Sequence, residues 1–235
     1  MKNKVSFFKG LLMIGKLPTW VGVGAFFLAC AAGSLNVFTL ESALNQPVSH
    51  LSGLSSTLGI SIAQGNTPNA VLFFLIILCF LAGATLSGFL IREKQLQLGR
   101  RYGFSLLIEC CMILLCWFIF DLYPLAGILI LAAACGLQNA MATTYSGAVI
   151  RTTHLTGIFT DLGIILGNFF AGIPIPLKKV VLFSTIILGF LSGVLITGFL
   201  FQSIGNAVLF FPAGITGLCG IVYFVKRFLK KFDLV

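Results

Sequence analysis

The sequence predicts an all-α polytopic membrane protein with about six transmembrane helices, two re-entrant or partly inserted helical segments, and two inverted-topology repeats. Three observations carry that expectation. Hydrophobic residues make up 58% of the chain and charged residues 9%, where a soluble domain keeps roughly a quarter of its residues charged. Apolar runs of spanning length recur along the chain. One histidine-bearing phrase is written twice, as SHLSGLSSTLGISIAQ (Ser49–Gln64) and THLTGIFTDLGIILGN (Thr153–Asn168), and it holds the only two histidines. With a mean hydropathy of +1.08, such a chain cannot wet its own surface, and the lipid bilayer is its first partner.

Crossing a bilayer takes about 20 apolar residues in a helix, and six stretches qualify. The first, Trp20–Leu40, follows Lys2, Lys4, Lys9 and Lys16. Within it Phe27-Leu28-Ala29-Cys30 has the look of a lipoprotein cleavage site, but the repeat uses residues on both sides of Cys30, which argues against cleavage there. The first phrase comes next, then Ala70–Ile91, a basic loop with Arg92, Lys94, Arg100 and Arg101, and Tyr102–Phe120. Glu109 inside that third run is expected to snorkel or to pair with Arg100 or Arg101. Glu41 and Asp121 fall at span ends, where a solvated carboxylate needs no explanation. Pro124–Thr143 precedes the second phrase, and Val180–Leu200 and Ala207–Val225 complete the set before Lys226, Arg227, Lys230 and Lys231.

Basic residues set orientation through the positive-inside rule. If neither phrase crosses, then both termini, the Arg92–Arg101 loop, Arg151 and Lys178–Lys179 all fall on the cytoplasmic side. If both phrases cross, the Arg92–Arg101 loop is forced outside. Six spans with two partly inserted phrases is therefore the expectation.

The repeat extends past the phrases. Gly33-Ser34-Leu35-Asn36 matches Gly136-Leu137-Gln138-Asn139, and LAGATLSGFL (Leu81–Leu90) matches LSGVLITGFL (Leu191–Leu200). Each half, Met1–Leu122 and Tyr123–Val235, reads span, phrase, span, span. Three spans per half is odd, so the second half is expected upside down relative to the first, as in transporters whose site lies at the midplane between interrupted elements.

On a helix the second phrase places His154, Asp161 and Asn168 seven residues apart in one stripe, with Arg151 near its start. His50, Thr57 and Gln64 occupy the equivalent positions of the first phrase. Gly163-x-x-x-Gly167 and Gly59-x-x-x-Ala63 are expected to let backbones approach closely. A polar stripe at membrane depth faces protein, water or substrate, and an intramembrane carboxylate such as Asp161 marks a functional site by default. His154 with Asp161 suits proton relay or cation binding, the alternative being that Asp161 locks the fold by pairing with Arg151 or His154. Asn36, Asn139 and Gln138 suit interhelical hydrogen bonds or the lining of a cavity. The substrate-binding candidates are thus His154, Asp161, Asn168, Arg151, His50, Thr57, Gln64, Asn36 and Asn139.

The net charge of +9 does not point to nucleic acid, because no segment is polar enough to build a soluble basic face. The seven cysteines lie inside apolar runs as packing residues, without metal-ligand spacing. No metal or cofactor is expected, and no nucleophile–base pair or phosphate-cradling loop suggests an enzyme. The reading is a small-solute or ion transporter or channel, with homo-oligomerisation left open. The alternative is a non-transporting membrane protein (an assembly factor or sensor), and an intramembrane enzyme is a third, weaker reading.

The block GLQNAMATTYSGAVIRTTHLTGIFTDLGIILG (Gly136–Gly167) resembles the signature of the YoaK-like family, bacterial inner-membrane proteins grouped as a domain of unknown function. The resemblance covers nearly the whole chain. In its first half the family shows Gly-x-x-Asp-Ala and then Thr-Gly-Asn. The matching positions here read Gly33-Ser34-Leu35-Asn36-Val37 and Ser52-Gly53-Leu54, so an amide replaces the usual acid and a leucine the usual Asn. The resemblance implies a bacterial cytoplasmic (inner) membrane and about six spans.

Overall fold

The structure, a computed structural model, describes residues 19–42, 45–91, 100–146 and 151–232. The described residues form helices α1 (Thr19–Glu41), α2 (Leu51–Ala63), α3 (Thr67–Leu90), α4 (Arg100–Ile119), α5 (Pro124–Ser146), α6 (Leu155–Phe170), α7 (Leu177–Ile204) and α8 (Phe210–Phe232). Lys2, Lys4, Lys9, Lys16, Arg92 and Lys94 of the expected basic clusters lie outside the described residues.

Five apolar stretches are long enough to cross a membrane, and the last of them, Leu177–Val225, runs for 49 residues. At 1.5 Å per residue a straight helix of that length would reach about 73 Å, more than twice the roughly 30 Å hydrocarbon core. It is broken at Gly205, whose φ of 52° needs a residue without a Cβ. A 3₁₀ turn over Gly205–Leu209 then leads into α8. The fifth run begins three residues earlier than the hydropathy pattern suggests, directly after Pro176, and the sixth starts at Phe210 because the turn, not composition, sets that boundary. The phrase helices have 13 and 16 residues, about 20 and 24 Å, too short to cross alone.

Packing fixes the helix directions. Gly189 and Gly193 of α7 face the backbone of Phe26 and Cys30 of α1, so both numbers rise together and the two helices run the same way. Trp20 at the start of α1 meets Tyr145 at the end of α5, and Gln138 donates to the Leu28 carbonyl, so α5 runs opposite to α1. Gly103 of α4 faces Tyr223 and Phe224 of α8 while Gly217 faces Cys110, an antiparallel pair. Ile91, at the end of α3, joins the cluster holding Val21, Tyr102 and Tyr145. Helices α1, α4 and α7 thus run one way, and α3, α5 and α8 the other.

The closest approaches repeat with the sequence. A Cβ added at Gly33 would lie 2.2 Å from the Phe190 carbonyl oxygen, and one at Gly136 would lie 2.0 Å from that of Phe80. Gly193 against Cys30 is matched by Gly83 against Ala133, each at 1.9 Å. The sequence repeat pairs Gly33 with Gly136, Cys30 with Ala133, Phe80 with Phe190, and Gly83 with Gly193. The contact of α1 with α7 is therefore remade by α5 with α3. The phrase glycines do not take this role. Nothing lies within 4 Å of a Cβ at Gly59, Gly163 or Gly167, since α2 and α6 lie at the periphery and the backbone contacts belong to the long helices.

Two apolar clusters fill the interior, one around Val21, Tyr102 and Tyr145 and the other around Phe38, Phe120 and Leu209. Large apolar side chains cover the outside, Phe89, Phe118 and Phe199 among them. That is the surface a helical bundle offers to lipid rather than water.

Candidate functional site

Each phrase is held by an asparagine of the helix before it. Asn36, buried in α1, donates from Nδ2 to Ser49 Oγ at 2.7 Å, and its Oδ1 accepts from the Ser49 backbone N–H at 3.2 Å. Asn139 of α5 repeats the clamp, donating to Thr153 Oγ1 and accepting from the Thr152 hydroxyl at 3.4 Å. The next residue, His50 or His154, stands at the N-cap position with nearly the same backbone (φ −93°, ψ 71° and φ −95°, ψ 59°), and neither caps its helix with its side chain. The backbone N–H groups of Leu54 and Ile158, each four residues on, bond the His50 and His154 carbonyls. The bonds of Asn36 and Asn139 run to the segments leading into α2 and α6 rather than to another helix. Gln138, by contrast, bonds α1. Ser49, Thr152 and Thr153 did not stand out as candidates, although a hydroxyl directly before each histidine was the available signal.

The two histidines differ in their surroundings. The His50 ring stacks on Phe190, 6.5 Å between centroids and 16° from parallel. The His154 ring instead folds over its own helix, occupying the space a Cβ at Gly157 would take. Both residues are exposed.

Asp161 turns away from the partners expected for it. Its Oδ2 lies 3.0 Å from Nζ of Lys179 in α7, and Lys179 also sits over the Phe183 ring, 5.1 Å from its centroid. Arg151 and His154 precede α6, whereas the first turn of α7 lies beside its middle, so Lys179 is the cation within reach. Thr57 spends its hydroxyl on the Gly53 carbonyl. Gln64 ends α2 in the open, and Asn168 is half-buried near the end of α6. Arg151 is exposed. The structure thus joins Asn36 and Asn139 to their phrases, and sends Asp161 to Lys179, Thr57 to its own helix and His50 to Phe190. Asp121 is not merely solvated: it accepts from Asn206 beside the Gly205 break.

The Asp161 side chain is 42% exposed and that of Lys179 13%, and an ion pair open to water on one side is worth about 1 kcal/mol or less. Asp161→Asn and Lys179→Gln are each expected to shift the detergent melting temperature only slightly. A loss typical of a broken buried pair, about 3–5 kcal/mol, would show that α6 is far more enclosed than this exposure implies.

A cavity of about 510 Å³ lies between α1, α4, α5 and α8, lined among others by Trp20, Tyr102, Leu106, Tyr145, Cys219 and Tyr223. It is almost wholly apolar, and no residue of either phrase lines it. Glu109 does not snorkel, and the side chain of Arg100, one of its two expected partners, lies outside the described residues. It is fully buried midway along α4, and both carboxyl oxygens lack a hydrogen-bond partner. Arg101 points outward, two turns away.

A family model described as protein of unknown function (DUF1275) matches residues 24–222, from the second turn of α1 into α8. No curated protein and no solved structure matches the chain.

Proposed function

We propose that this chain, which belongs to the DUF1275 family, carries a small solute or ion across a bacterial cytoplasmic membrane through six crossings arranged as two inverted halves. The reading takes α1, α3, α4, α5, α7 and α8 as the crossings and both termini as cytoplasmic. What supports it most is the duplicated clamp, in which Asn36–Ser49–His50 and Asn139–Thr152–Thr153–His154 start short helices of matching geometry after helices of opposite direction. The N-terminal end of each short helix carries partial positive charge, and interrupted elements in related halves are where transporters bind their cargo. The solute site in this reading lies at the His50 and His154 ends of α2 and α6. An anionic or hydrogen-bond-accepting group suits two uncapped helix N-termini.

The second reading is a non-transporting membrane protein, an assembly factor or sensor. It draws on the clamps satisfying their own hydrogen bonds and on the apolar lining of the described cavity.

Uptake separates the two. A panel of labelled small anions and neutral metabolites, offered to proteoliposomes, is expected to yield a solute whose uptake falls at least tenfold in the His50→Ala/His154→Ala double variant, with the melting temperature held. If wild type and double variant both fold and no solute moves faster than through empty liposomes, transport gives way to the second reading. Orientation has its own check. A single cysteine placed at Gln97 in a chain stripped of its native cysteines should resist an impermeant thiol reagent from outside the cell. Labelling from outside would overturn both the six crossings and the inverted arrangement.

A further inference from the structure

Among the described residues Glu109 is a carboxyl with no exposed surface and no hydrogen bond to either oxygen. It is the tenth of the 20 residues of α4, so it sits near the middle of an apolar helix. Three thiols lie near enough to feel its charge: Cys135 of α5, Cys219 of α8 and its neighbour Cys110. No group of three His, Cys, Asp or Glu side chains is gathered among the described residues, and a lone carboxyl with both oxygens unbonded suits a proton. A buried carboxylate without a partner neutralises rather than keeps its charge, and the group is therefore held as the neutral acid.

The α1–α7 and α3–α5 contacts are backbone against backbone, with carbonyls 1.9–2.4 Å from the built Cβ positions. The α4–α8 contact beside Glu109 is looser, since Gly217 and Gly220 meet Cys110 Sγ and the Leu107 side chain at 3.0–3.1 Å, and Gly220 meets the Gly103 carbonyl oxygen at 3.2 Å. Leu106, one turn before Glu109, and Cys219 both line the apolar cavity that opens beside α1 and α8. Side chains beside the acid thus also wall that cavity.

We propose that Glu109 is a reversible proton-binding site in the membrane core, loaded in the conformation described here and emptied when α4 and α8 part. Its proton then passes to water, leaving a carboxylate and a hydronium ion. That the proton is the coupling ion rests on the transport reading above; that Glu109 binds and releases it does not.

Two measurements on the full-length protein in liposomes test the site without any solute. Dicyclohexylcarbodiimide reacts with a neutral intramembrane carboxyl, which adds across a C=N bond with its proton going to nitrogen and nothing leaving, so the modified peptide gains the whole reagent mass. Peptide mass mapping is expected to find the adduct on Glu109 at mildly acidic pH and to lose most of it at alkaline pH. Infrared difference spectra should show a neutral carboxylic C=O band that disappears on an alkaline step, returns on reversal, and is missing from Glu109→Gln. The mapping needs no variant, so it stands even if Glu109→Gln fails to fold. A Glu109 that the carbodiimide never reaches, or labelling and band that ignore pH, would make this a trapped structural acid and overturn the site. A titrating Glu109 in a protein that moves no solute would leave the proton site standing while the transport reading falls.

Discussion

Gly193→Ala is expected to be the most damaging single-methyl change in the chain, with Gly83→Ala close behind. In each case the new Cβ would lie 1.9 Å from a backbone carbonyl oxygen, that of Cys30 or Ala133. Backbone cannot swing aside as a side chain can, so α7 must back away from α1, or α3 from α5, and the contacts along that seam open together. Overpacking typically costs about 1–3 kcal/mol and occasionally more, and an obstacle made of backbone places these two at or above the upper end. Gly163→Ala, Gly167→Ala and Gly88→Ala provide the contrast, because nothing lies within 4 Å of a Cβ at any of them. There, alanine is expected to be neutral or to stabilise by roughly 0.5–1 kcal/mol through lost chain entropy. Thermal melting of the five variants in one detergent checks the ordering. If Gly193→Ala melts with the wild type while Gly167→Ala does not, then the phrases rather than the long helices hold the close contacts, and the packing described above is wrong.

The second large effect is expected at the clamps. Asn36→Leu removes the partner of two buried groups at once, the Ser49 hydroxyl and the Ser49 backbone N–H. Stranding a buried polar group costs about 1–3 kcal/mol, so the variant should lose several kcal/mol of stability and free the segment leading into α2. Asn36→Asp should be mild by comparison as the neutral acid, since Oδ1 still accepts the Ser49 N–H and the protonated Oδ2 donates to the Ser49 hydroxyl. This is the position where the resembled family carries an acid. The matching change in the second half, Asn139→Leu, should free α6 in the same way. The readout is melting temperature together with the thiol-labelling rate of a cysteine placed at Ser52 or Thr156. Equal labelling rates in Asn36→Leu and wild type would mean that something other than the clamp seats α2.

The clamps lie where the linear order of residues already marks them, whereas the glycine seams depend on how distant helices cross. Composition alone announces a bilayer protein, because the hydrocarbon core admits only chains that satisfy their own backbone, and helices of about 20 apolar residues do so. The duplicated phrase marks where the chain breaks its spans, since hydroxyl, amide and glycine residues are too polar for a lipid-facing helix, and those segments are the short helices α2 and α6. Asn36 and Asn139 could be singled out because a polar residue in an apolar run needs a partner.

Which partner it finds is a matter of three dimensions. The Ser49 clamp spans 13 residues, but the ion pair of Asp161 with Lys179 crosses from one helix to another, and periodicity on a single helix points instead to Arg151 or His154. The GxxxG spacing of the phrases looks like a packing seam, yet the seams lie at Gly33, Gly83, Gly136 and Gly193. Small residues permit close approach only where another backbone arrives, and arrival depends on how six long helices cross. Glu109 shows the same division most sharply. The sequence places a carboxyl inside an apolar run, and two arginines nearby suggest escape to the surface. Only the packing of α5 and α8 around the middle of α4 decides that this acid stays inside, where among the described residues neither oxygen has a hydrogen-bond partner and burial favours the neutral form.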